Sequence, residues 1–145
     1  MKKRKWSIGF ILFAILSILV LNVPLIHYPV WVPKKFEYKD YHATYIPFKV
    51  TDQYATIVTC GRNCSQVHYH YKNDDKHLSV LATDKASWSS DAIWQRKNRV
   101  PGTNYYYNST QLAWIEEDTE VEVFIKLEGQ KSDVKTLLNV AESIK

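Results

Sequence analysis

The sequence predicts an α+β fold, an antiparallel β-sheet covered on one face by a C-terminal helix and preceded by a single N-terminal transmembrane helix. Three observations predict it. Residues 6–26, WSIGFILFAILSILVLNVPLI, run for twenty-one positions without a charged side chain. Residues 66–72 and 120–128 alternate apolar and polar, the period of a half-buried strand. Residues 132–145 repeat their apolar positions at helical spacing.

The chain opens with MKKRK, four positive charges and no negative one. Behind this tail, a helix at about 1.5 Å per residue makes the run 6–26 long enough for a hydrocarbon core about 30 Å thick. Lysine and arginine stay on the cytoplasmic side, so residues 1–5 are expected inside and the remainder outside. Trp6 at one end, with Tyr28 and Trp31 at the other, suits the two membrane interfaces. A cleaved secretory signal is the competing reading, but the exit VLNVPLIHYPVWVP lacks a small-x-small site.

The formal net charge is +4. From Lys34 onward, however, 15 basic residues face 15 acidic ones, so the excess marks topology and not a phosphate-binding surface. No nucleic acid is expected as a partner. Residues 27–44 carry prolines and aromatics without a helical or strand period and read as a stalk. The exported domain is expected over 45–145, enough for one small core.

Within it, 55–59 is β-branched. In 66–72, Val67, Tyr69 and Tyr71 share one face, while Gln66, His68, His70 and Lys72 share the other. A polar turn at 72–75 leads to a strand at 77–83. Residues 86–95 carry no clear period, and 96–104 is a basic loop broken by Pro101-Gly102. Strands follow at 105–109 and 111–117. In 120–128, Val121, Val123, Ile125 and Leu127 point inward and Glu120, Glu122, Lys126 and Glu128 outward. Gly129 ends that strand. Ser132 is the expected N-cap of the helix, with Asp133 well placed for its dipole. Val134, Leu137, Leu138, Ala141 and Ile144 form its apolar face.

Chemistry concentrates in TCGRNCSQVHYHY, residues 59–71. Gly61-Arg62-Asn63 reads as a three-residue connection between strands, which would bring Cys60 and Cys64 to the separation of about 4.4–6.8 Å that a disulfide needs between α-carbons. An exported domain permits that bond, worth about 2 kcal/mol for so short a loop. Free thiols are one alternative. A metal reading would take Cys60, Cys64, His68 and His70 together, but zinc sites of this composition separate the two pairs by a long gap. The expectation is a disulfide, no metal and no cofactor, with His68 and His70 solvated on a polar strand face.

Catalytic signatures are missing. The four glycines are too scattered to cradle a phosphate, and neither Gly-x-Ser-x-Gly nor His-Glu-x-x-His occurs. No enzyme activity is expected. Trp88, Trp94, Tyr105 and Tyr107, beside Arg96 and Arg99, form a candidate interaction surface, since aromatic residues and arginine are enriched at interfaces.

The stretch GTNYYYNSTQLAWIEEDTEVEVFIKLEGQKSDVKTLLNVAESIK, residues 102–145, resembles the end of the bacterial domain of unknown function 4367 family. The resemblance rests on Gly102, Tyr106, Leu112, Trp114, Val121 to Leu127, and Ala141-Glu142-Ser143-Ile144. YIPFKV (45–50) and VHYHYKNDDKHLSVLATD (67–84) fit it more loosely. It implies an exported domain of a Gram-positive bacterium behind one membrane anchor, and it supplies no catalytic residues. The expected function is therefore a membrane-anchored extracytoplasmic interaction or sensory module whose partner is another envelope protein. A ligand-binding domain for envelope polymer or metal is the alternative.

Overall fold

The computed structural model of this chain describes residues 26–35, 40–61, 64–84 and 93–144. Six strands form one antiparallel sheet: β1 (Asp52–Gly61), β2 (Cys64–Lys72), β3 (His77–Asp84), β4 (Tyr106–Tyr107), β5 (Gln111–Glu116) and β6 (Val121–Glu128). Their order is β1-β2-β3-β6-β5-β4. Two three-stranded meanders thus meet where β6 pairs with β3. A helix, Val134–Glu142, packs on β5 and β6. The α+β architecture with its C-terminal helix is therefore as expected. Among the described residues no helix is long and apolar enough to cross a membrane; the expected anchor, apart from Ile26, lies outside them.

Alternation decides the two faces. Val67, Tyr69 and Tyr71 of β2 stand opposite Ala82, Val80 and Leu78 of β3, which stand opposite Val123, Ile125 and Leu127 of β6. All nine are buried on one face. Leu137, Val140 and Ala141 of the helix close over the same core, with Leu112 and Trp114 of β5.

Local side chains set the turns. The Asn73 side-chain oxygen accepts from the amides of Asp75 (3.0 Å) and Lys76 (2.7 Å), closing the β2–β3 connection. Asn108 does the same between β4 and β5, accepting from Thr110 and Gln111. The β1–β2 hairpin is tighter than expected: Gly61 pairs with Cys64, so the connection is Arg62-Asn63, and a bulge falls between Thr59 and Gly61. Cys60 lies on that bulge and not directly opposite Cys64.

The helix cap is shifted by one residue from expectation. Asp133, not Ser132, is the N-cap: its backbone is extended and its carboxylate accepts from the Thr136 amide at 2.8 Å. That amide, then the Thr136 hydroxyl, hold the Asp133 carboxyl below its ordinary pKa. We expect Asp133→Ala to lower the thermal midpoint and Asp133→Asn to retain most of it, measured by circular dichroism, because the amide oxygen still caps.

Residues 27–44 also depart from expectation. The amide of Tyr28 donates to the Ala55 carbonyl (2.8 Å) and the Ala55 amide donates back (2.7 Å), so the chain at Tyr28 lies along the open edge of β1. Val30 packs against the core, and Tyr41 and Ala43 belong to it. Ala43 donates its amide to the buried Tyr71 hydroxyl at 2.9 Å and bridges to Ile144. The segment looked like a stalk because single anchoring residues leave no period to read. Glu122 differs too: expected outward, it is only 3% exposed, on the second sheet face opposite Thr83.

Candidate functional site

The second face of the sheet carries a row of rings that the strand register assembles. β2 alternation sends His68, His70 and Lys72 to this face, away from the core. His70 stands opposite Tyr54 of β1 and Ser79 of β3; Lys72 stands opposite His77, which stands opposite Glu128 of β6. Because the β2–β3 turn is tight, His77 falls diagonal to His70, within reach of a long side chain.

The rings stack in sequence. His27, from the segment along the β1 edge, lies 3.8 Å from the Tyr54 ring centre at an 18° interplanar angle. Tyr54 lies 4.7 Å from His70, and His70 lies 5.2 Å from His77. His68 sits 5.8 Å from His70, tilted by 37°. His70 Nδ1 and His77 Nε2 are 3.0 Å apart, a hydrogen bond. Glu128 ends the row, its carboxylate 3.4 Å from His77 Nδ1 and 2.6 Å from the Lys126 ammonium. Lys72 donates to the Tyr54 hydroxyl at 2.8 Å, its nitrogen 5.0 Å from the ring centre.

This environment favours the neutral form of His68, His70 and His77. Burial first, then the neighbouring His68, His77, Lys72 and His27, push His70 down to about 4. Burial lowers His68 and His77 as well; for His77, Glu128 works in the opposite direction. The Lys126 ammonium holds Glu128 below the usual carboxylate range, so it stays charged. A neutral imidazole has one donor and one acceptor nitrogen. Glu128 favours the proton on His77 Nδ1, which leaves His77 Nε2 to accept from His70 Nδ1–H. One proton then lies between the facing nitrogens.

His68 and His70 are thus half-buried members of an aromatic row and not merely solvated. The row also contains His27 and His77, which the sequence did not single out. The tight turn after Lys72 could have signalled His77; nothing local signals His27.

The expected aromatic surface is divided between the two faces. Tyr105 packs edge-on to Trp114 (5.3 Å) and Tyr107 donates its hydroxyl to the Ser132 carbonyl (3.1 Å), both on the helix side. Trp94 packs on the opposite side, edge-on to Tyr106 (5.2 Å) and Phe124 (5.7 Å). Arg96 and Arg99 are exposed, Arg99 donating to the Thr103 carbonyl. Trp88 and the side chains of Cys60 and Cys64 lie outside the described residues. Among the described residues no group of three or more histidine, cysteine, aspartate or glutamate side chains converges to hold a metal.

Compared with family models, curated proteins and solved structures, the chain matches none.

Proposed function

We propose that this chain is a membrane-anchored, extracytoplasmic sensory or interaction module of a bacterial envelope, acting on another envelope protein without catalysing a reaction. Residues 6–26 would be the single-pass anchor, with the N-terminus cytoplasmic. The observation that carries this reading is the stack His27–Tyr54–His70–His77. Its outermost ring follows directly on the proposed anchor, so a change in the stack would act where the chain leaves the bilayer. The exposed Trp31, four residues further on, suits a membrane interface. The resemblance to the domain of unknown function 4367 family, carried by residues 102–145, agrees with export. In such a compartment Cys60 and Cys64 are proposed to pair and clamp the far end of the β1–β2 hairpin.

Cross-linking of the full chain in intact cells tests the reading. We expect one specific envelope-protein partner, weakened several-fold by His70→Phe, which keeps a ring in the stack but removes both nitrogens. Retention by cell-wall material alone, or identical cross-links in the variant, would sink it and favour the polymer-binding alternative.

A further inference from the structure

The His70–His77 contact has a property that an isolated surface histidine lacks. Its facing nitrogens, 3.0 Å apart, accommodate one proton and not two. We infer that this pair is an acid-sensitive latch: with one proton between the facing nitrogens it holds the stack together, and with a proton on each it parts and loosens His27 from Tyr54. The inference deepens the sensory reading, and rests on it only for what the loosened segment is attached to.

Most of the groups around the pair oppose its second proton, Glu128 being the exception. From β2 come Lys72 and His68, from β1 Tyr54, from the N-terminal segment His27, and from β6 Glu128 with Lys126. Two carboxylates share this end of the face: Glu128, which already holds the Lys126 ammonium at 2.6 Å, and the exposed Asp52 of β1, which stands opposite Lys72. A first proton is tolerated, since His77 can become imidazolium while donating to both Glu128 and His70. A second places two N–H groups head to head. It also leaves the His70 imidazolium stacked on Tyr54 at 4.7 Å with the Lys72 ammonium 5.0 Å from the same ring centre. An aromatic face attracts one cation; two around a single ring repel one another, so His70 withdraws from Tyr54 and from the stack that ring shares with His27. His27, exposed at the end of the stack, is the ring that separates when Tyr54 shifts, while Tyr28 stays paired with Ala55.

The sign follows from linkage. The folded value of His70 lies below its ordinary 6.5, so the closed stack is fully favoured above about pH 6.5 and is lost as the pH falls towards 4. A lone solvated histidine would leave the stack indifferent to pH.

Nuclear magnetic resonance on the full chain in nanodiscs, with labelled histidine, tests the latch between pH 8 and 4. We expect the His70 and His77 rings to titrate in two coupled steps. The second step should remove the contacts between His70 and His77 and between His27 and Tyr54. In His77→Phe, His70 should titrate in one step with the His27–Tyr54 contact kept. Independent titration of both rings near 6.5 would overturn the latch, as would a pair still in contact at pH 4. So would loss of the His27–Tyr54 contact at the same pH in His77→Phe. Labelling that placed the domain on the cytoplasmic side would sink the envelope reading and leave the latch standing.

Discussion

Removal of residues 132–145 is expected to abolish cooperative unfolding of the domain. The helix closes the apolar face of β5 and β6, and two of its side chains, Leu137 and Val140, have no exposure at all. The segment does more than cover. The Ser143 carbonyl accepts from the Thr44 hydroxyl (2.9 Å), its hydroxyl accepts from the Tyr45 amide (3.0 Å), and Ile144 bridges to Ala43. Ser132 receives the Tyr107 hydroxyl. Truncation therefore unpins residues 43–45 and β4 together with the core. A single-residue version is graded: Leu137→Ala should cost about 2–5 kcal/mol, against roughly 5–15 kcal/mol for a whole domain. Urea unfolding of the detergent-solubilised chain, followed by tryptophan fluorescence, should show a much lower midpoint for Leu137→Ala with an unchanged slope. The truncated chain should show no transition. A truncated chain that unfolds cooperatively near the wild-type midpoint would mean the sheet is stable without its cover.

What the sequence made legible and what it hid follow from the range over which each signal acts. Alternation is local, so it reveals which residues of β2 and β6 share a face; Val67, Tyr69, Tyr71, Val123, Ile125 and Leu127 all lie where their spacing puts them. It carries no information about neighbours. That β6 pairs with β3, and so joins two meanders, depends on contacts between residues far apart in the chain, from Asp84 with Val121 to His77 with Glu128. The histidine row is hidden for the same reason: its rings come from three strands and an aperiodic segment, and only the register aligns them. Residues 27–44 read as a stalk because Tyr28, Tyr41 and Ala43 dock singly. Asp133 displaced Ser132 as the cap because both suit the position chemically, and the backbone geometry chose between them.

Gly129→Ala is expected to be the most damaging conservative substitution in the described part of the chain. Two separate costs meet there. Gly129 has φ +82°, in the left-handed region where an L-residue gives up about 1–2 kcal/mol. It also abuts the β2–β3 turn. An added Cβ would overlap the Asp75 carbonyl oxygen and lie 2.9 Å from its carbon and 3.0 Å from the Lys76 α-carbon. These are backbone atoms held by the Asn73 side chain, so they cannot swing aside as a flexible side chain would. Overpacking of this kind costs about 1–3 kcal/mol more. Gly102 separates the two effects, because it has nearly the same φ, +76°, with nothing within 4 Å of the added carbon. Gly102→Ala should therefore lose only the conformational part, about 1–2 kcal/mol, and Gly129→Ala roughly twice that. Equal losses in urea unfolding would show that the turn yields. It would then be the left-handed backbone alone, and not the close approach of the β6 end to Asp75, that requires glycine at 129.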